Sequence, residues 1–393
     1  MGALSDIKVL DLTRVLAGPY ATMLLADLGA EIIKIEQPGK GDDSRAYGPY
    51  KNGESAYFMS LNRNKESLTL NLKAPEGKEI IKELVKHVDV LVENFRPGTM
   101  EKLGLGYEVL KEINSRLIYA ASTGYGQTGP YSQRPAYDAV VQAMGGIMSI
   151  TGQEDGVPTR VGTSVGDITA GLFCAVGILA ALHERERSGL GQMVDVAMLD
   201  CQVAILENAI SRFEFTGEVP GPIGNRHPSI VPFEPFETRT SPIMVAVGND
   251  RLWATLCRLM DLDIASDSRF ATNPLRNENY LLLKPILVEK FMTKTAEEWQ
   301  KMFDEAGIPS GPINSVDKVV TNEQVVARDM IVEIEHPTAG DTRIPGIPIK
   351  LSRTPGDVRM AAPVLGADTE KLLKEYLGLS PEQIADLSEK QVI

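Results

Sequence analysis

The sequence predicts an α/β protein with a parallel sheet covered by helices and a second, smaller α/β domain. Two observations carry this. In the first half, short apolar strand-like runs alternate with helical stretches, the pattern of a parallel sheet covered by helices. A Pro/Gly-rich stretch at 217–235 then interrupts the chain, and a shorter alternation resumes beyond it.

Residues 7–12 (IKVLDL) alternate as a strand does, and 20–28 place apolar residues at helical spacing up to Gly29, a residue suited to ending a helix. Residues 31–36 (EIIKIE) return to strand character. Residues 68–72 read as extended, and Pro75 opens an amphipathic helix from the first-turn position that proline favours. Residues 90–92 and 117–121 read as buried strands. A long helix is predicted from about Asp167 to Arg187, stopped by Gly189, with a strand over 192–198 and a further helix behind it. Beyond the Pro/Gly stretch come a strand at 243–247, a helix around Trp253 and helices across 281–306. From Ile331 the chain reads as extended and Pro-rich before a short helical tail.

Composition narrows the function classes. The 393 residues suffice for a large core and two domains. A net charge of -13 argues against nucleic acid as a partner, since phosphate binding needs a basic surface. Residues 31–102 are locally neutral, with twelve Lys and Arg against twelve Asp and Glu, which fits either a site for an anionic ligand or an evenly solvated helix surface. Cys174, Cys201 and Cys257 lie far apart and fit a reducing compartment rather than a disulfide framework. No apolar run reaches the roughly 18–20 residues that cross a bilayer, and the N-terminus lacks the form of a signal peptide. A cytoplasmic protein without membrane association is expected.

Gly124-Tyr-Gly-Gln-Thr-Gly129 matches a dinucleotide fingerprint, but Pro130 follows at once, where the fingerprint requires a helix. NAD is not expected. The four histidines show no metal spacing, and only His227, in Gly224-Asn-Arg226-His227-Pro228, falls in a loop suited to a site. Asp167 follows Gly166 at the head of the long helix. There the dipole and free backbone N–H groups favour an ionised carboxylate able to attack a thioester carbonyl, with Gly162 and Gly166 leaving room for substrate. Aspartate is also a common helix N-cap, the structural alternative. Arg96, in the loop after a buried strand, sits where open α/β sheets bind ligands, and Lys102 follows a short helical distance on; a strand-to-helix turn with a solvated arginine is the structural alternative.

These segments together resemble family III CoA-transferases. The likeness runs nearly end to end. It is carried by Val9-Leu-Asp-Leu with Ala17-Gly-Pro, Leu28-Gly-Ala-Glu-Ile-Ile-Lys-Ile-Glu36, Pro75-Glu-Gly-Lys78, Val92-Glu-Asn-Phe-Arg-Pro-Gly98, the 124–130 loop and Gly166-Asp167. The resemblance implies CoA transfer from an acyl-CoA to a carboxylic acid, a dicarboxylate among the candidates. Asp167 would pass through a mixed anhydride and an aspartyl-CoA thioester, with CoA as substrate and no tightly bound cofactor. It implies CoA contacts at Leu16, Ala17, Gln37, Leu70, Asn71, Leu72, Lys73, Asn94, Phe95, Arg96, Lys102, Pro135, Ala136, Tyr137 and Asp138. Gly224, Arg226 and His227 are candidates for the acceptor loop. It also implies a doubly wound, Rossmann-like large domain, an interlocked homodimer, and segments 1–215, 216–325 and 326–393, the last returning to complete the large domain. The related racemases use a histidine where this chain has Tyr137, which disfavours an acyl-CoA racemase. A non-catalytic CoA-binding protein is the other alternative.

Overall fold

The computed structural model describes residues 2–393. Two compact units divide the chain. The first takes the chain up to Met148, then Arg160–Gly217 and Glu323–Ile393; the second comprises Ser149–Thr159 and Glu218–Asn322.

The first unit is built on six parallel strands. They are β1 (Lys8–Asp11), β2 (Glu31–Glu36), β3 (Lys65–Thr69), β4 (Val90–Glu93), β5 (Ile118–Thr123) and β6 (Met193–Ala197), in the order β3-β2-β1-β4-β5-β6. This is the doubly wound order, so the winding reverses between β1 and β4, and loops leaving those strands diverge to open a crevice. Adjacent side chains point to opposite faces and both are covered. Leu10, Ile33, Leu68 and Leu91 join one apolar cluster, and Val9, Ile32, Val90 and Ile118 another.

Among the helices, α1 (Ala17–Asp27) follows β1, α2 (Pro75–Val85) precedes β4, and α3 (Thr99–Leu103) follows the loop after β4. The short α4 (Asp138–Met144) precedes α5 (Val165–Ser188), which ends at Gly189 with φ 76°. Proline opens α2 as expected, and Ile81, Leu84 and Val85 bury its apolar stripe.

One expectation is corrected. By length and composition α5 is apolar enough to cross a membrane. An unbroken run without ionisable residues stops at Asp167 and His183, which leaves only 168–182; tolerating the polar residues at its ends lengthens it to span size. Its buried side, with Cys174, Ala175, Ile178, Ala181 and Leu182, packs into the apolar cluster that also holds β1 and β4.

Helices α5 and α1 cross closely because Gly171 has no side chain. A Cβ there would stand 2.7 Å from the Ala17 carbonyl oxygen and 3.0 Å from the Tyr20 ring. We expect Gly171→Val to destabilise the first unit by about 2 kcal/mol or more, through overpacking against a backbone that has no room to yield. Thermal unfolding followed by circular dichroism checks this; an unchanged melting temperature would show that the helices can part freely.

The second unit has the antiparallel strands β7 (Phe233–Phe236), β8 (Ile243–Ala246) and β9 (Ser310–Pro312), in the order β9-β8-β7. Helices Asp250–Leu259, Tyr280–Phe291 and Ala296–Ala306 enclose its core around Trp253, Phe291, Trp299 and Phe303. The returning chain forms a hairpin, Ile331–His336 with Gly340–Pro345, and two helices, Thr369–Leu377 and Pro381–Glu389. Leu372, Leu373 and Tyr376 of the first helix and Ile384 of the second join the core beside β3.

Candidate active site

Two adjoining cavities occupy the crevice where the winding reverses. The first, about 220 Å³, is lined by the turn after β1 (Arg14 to Ala17), the loop after β4 (Asn94 to Pro97), the end of β5 and its loop, and Asp167. The second, about 340 Å³, is lined by Gln37 after β2, Leu70, Asn71, Leu72 and Lys73 after β3, and Phe95. Arg14, Asp43 and Phe95 line both. Arg14 forms an ion pair with Asp43 at 3.0 Å and lies over the Phe95 ring at 5.3 Å, so these three side chains make the wall between the cavities.

The first turn is held by side chains from three directions. Asn94 accepts the Arg14 N–H at 3.0 Å and donates to the Arg14 carbonyl at 2.8 Å. Asp42 accepts the Val15 N–H at 3.0 Å, and the buried Lys34 ammonium donates to the Thr13 carbonyl at 2.8 Å. Asn94 therefore lines the cleft while its side chain clamps Arg14.

Asp167 is the third residue of α5. Ser164 occupies the N-cap position, so Asp167 is not the cap. Among the described residues no hydrogen-bond donor reaches its carboxylate. The expectation of a carboxylate stabilised by backbone N–H groups is therefore corrected. Burial, and then the neighbouring Asp138 charge, push its pKa up to about 7. Asp138 accepts the Gly166 N–H at 2.8 Å and the Gln142 amide at 2.7 Å, fixing the start of α5. Gly166 is filled space: a Cβ there would meet Val141 at 2.8 Å and Asp138 at 3.0 Å, so it serves helix packing rather than substrate access. Gly162 is open. Tyr57 is half-buried, and burial together with the Asp167 charge pushes its phenol up to about 12.

Of the residues proposed from sequence, Leu16, Ala17, Asn94, Phe95, Arg96, Pro135, Ala136, Tyr137 and Asp167 line the first cavity. Gln37 and Leu70 to Lys73 line the second. Tyr137 is 73% exposed at the rim, and Arg96 is exposed with no ion pair among the described residues. Two residues fall outside the linings. Lys102 is exposed on α3, and Asp138 is buried beneath α5. Gly224, Arg226 and His227 belong to the second unit and have local partners there. Gly224 donates to the Gly152 carbonyl, Arg226 lies over the Tyr280 ring, and the His227 Nδ1 accepts the Ser229 N–H.

Sequence reasoning missed Arg14, Val15, Asp43, Ser122, Thr123, Arg134 and Met198, all of which line the first cavity. The turn at 13–19 entered the sequence reading only through Leu16 and Ala17 and the Ala17-Gly-Pro match. Its position after the first strand is the signal that could have singled out Arg14.

The fold and this crevice define an α/β protein with an elongated ligand cleft at the carboxyl ends of its strands and a carboxylate without a partner on one wall. The model of CoA-transferase family III matches residues 4–369. The chain is 42% identical over 392 residues to human succinyl-CoA:glutarate CoA-transferase, covering 99% of this chain and 90% of that one. It is 45% identical over 379 residues to acetyl-CoA:oxalate CoA-transferase of Acetobacter aceti, covering 95% and 96%. The crystal structure of a CAIB/BAIF family protein from Brucella suis superposes with a TM-score of 0.84 at 37% identity, covering 95% of this chain and 99% of that one. The chain belongs to CoA-transferase family III.

Proposed function

We propose that this protein moves CoA from an acyl-CoA donor to a dicarboxylic acid, with Asp167 as the covalent carrier. The observation that carries the reading is the free, partly buried carboxylate on the wall of the first cavity. The Asp167 carboxylate attacks the thioester carbonyl, giving a mixed anhydride and expelling CoA thiolate. The thiolate attacks the aspartyl carbonyl of that anhydride, forming an aspartyl-CoA thioester and releasing the donor acid. The acceptor carboxylate then attacks this thioester, again freeing the thiolate. Attack of the thiolate on the acceptor's acyl carbonyl yields the new CoA ester and restores Asp167. An activated carboxylate thus divides one difficult exchange into easier steps.

The apolar second cavity, with Leu70 and Leu72, suits the adenosine end of CoA, and Arg14 and Arg96 suit its phosphates. The pantetheine arm then enters the first cavity toward Asp167. A dicarboxylate acceptor is supported by relatives named for glutarate, oxalate and D-citramalate, the last 39% identical over 393 residues. The reading includes a cytoplasmic homodimer, supported by three free, buried cysteines and by the exposed apolar stripe Leu172, Phe173 and Val176 on α5.

Succinyl-CoA and acetyl-CoA offered with panels of mono- and dicarboxylic acids, with CoA esters read by mass spectrometry, test this reading. We expect new esters from dicarboxylates at rates at least about tenfold above those from monocarboxylates. No exchange with any acid, or α-proton exchange without transfer, would sink the proposal.

A further inference from the structure

Glu93 ends β4 directly before the 94–97 loop, and only 4% of it is exposed. A buried carboxyl normally has a cation beside it, because an unpaired charge in the interior is costly. Tyr119 on β5, Glu101 on α3, Asp195 on β6 and the Cys174 thiol on α5 act on Glu93, and among the described residues no cation forms an ion pair with it. One contact is strong: the Phe95 N–H donates to its Oε2 at 2.7 Å. The other is long, with the Tyr119 hydroxyl 3.5 Å from Oε1. An apolar residue here would leave the Phe95 N–H without this acceptor, so the acid is explained by its bond to the loop. That loop matters because Phe95 lines both cavities and carries Arg14 on its ring.

We propose that Glu93 is a positioning residue for acyl-CoA: by accepting the Phe95 N–H at the end of β4, it fixes the wall that the two cavities share. The inference rests on the reading of this cleft as the CoA site. Burial first, opposed by the Phe95 hydrogen bond and reinforced by Glu101 and Asp195, pushes the Glu93 carboxyl up to about 8. Its neutral form therefore predominates at neutrality. Above about pH 8 an unpaired anion appears beneath the loop, close to where the CoA phosphates would bind. CoA affinity should fall there.

Calorimetric titration of coenzyme A into wild type, Glu93→Ala and Glu93→Gln across roughly pH 6.5–9 tests this. At about pH 7 the alanine variant should bind about tenfold more weakly. The glutamine variant keeps a neutral oxygen acceptor, so it should stay within about threefold of wild type. The wild-type Kd should rise above about pH 8, while that of Glu93→Gln stays flat. The kcat at saturating acyl-CoA should stay within about twofold in both variants, because neither touches the reacting atoms. Wild-type binding by Glu93→Ala, or an alkaline rise that survives in Glu93→Gln, overturns the proposal. Should the alanine variant fail to fold, the pH comparison with glutamine decides alone. Phe95→Ala separates the two possible failures. Unchanged CoA binding in that variant overturns the cleft assignment, whereas weakened binding there with intact binding in Glu93→Ala overturns only the role of Glu93.

Discussion

Asp167→Asn should lower kcat for CoA exchange by about ten-thousand-fold or more while leaving the Kd for CoA within about threefold. The amide has nearly the same shape but lacks the carboxylate proposed as nucleophile, and among the described residues no hydrogen bond depends on that side chain. Hydroxylamine should intercept an Asp167 adduct in acyl-CoA-treated wild type and none in the variant. The pH dependence follows from the same group. Its pKa is raised by burial and by Asp138, so the carboxylate is ionised only above about pH 7. Exchange in wild type should rise with pH up to that value and then level off. Asp138→Asn removes the second of those causes and should shift the rise to lower pH. It should not abolish turnover, because the amide oxygen of the new side chain can still accept the Gly166 N–H that Asp138 now accepts. Substantial turnover by Asp167→Asn would sink the covalent mechanism.

The four inner strands were legible because they are buried on both faces and print as largely apolar runs, whereas β6 at the edge is only partly buried. Asp167 was legible because the chain changes there from loop glycines to a long helix. Its protonation was not. The sequence placed it near a helix N-terminus, where the ionised form gains, but Ser164 takes the cap position and Asp138, distant in sequence, supplies an adverse charge. The hairpin at Ile331–His336 and Gly340–Pro345 read only as extended chain, since pairing register leaves little trace in such short alternations. Arg14 and Asp43 were passed over for a similar reason. Their partnership joins residues 29 apart, and neither stands out in its own segment.

The buried charges beneath the cleft had no sequence signature, yet they support the second large effect expected. Lys34 is on β2 with none of its side chain exposed, 2.9 Å from the Asp42 carboxylate. Burial alone would lower the Lys34 pKa; Asp42, Asp11 and Glu36 outweigh it and hold the ammonium charged. In return, Lys34 helps keep Asp11 and Asp42 ionised against burial, with Lys65 the larger partner of Asp11. Lys34→Met preserves the volume and removes the charge, leaving the buried Asp42 without its cation and Asp11 with Lys65 alone. Losing one member of a buried pair costs about 3–5 kcal/mol, and urea unfolding near neutrality should show a loss of that size. The sign with pH is set by the carboxylates. Their folded pKa values are depressed, so the stability they contribute is present above the usual carboxylate range and fades as pH falls through it. The gap between wild type and variant should therefore narrow toward about pH 4, where Asp42 in the variant takes up a proton more readily. Activity should also suffer, because Lys34 and Asp42 hold the turn in which Val15 adopts φ 70°, a conformation costly for a β-branched residue. Once the bonds to Thr13 and Val15 slacken, that turn can relax away from the cleft it lines. A stable variant with unaltered KM for acyl-CoA would show that the strained turn holds itself.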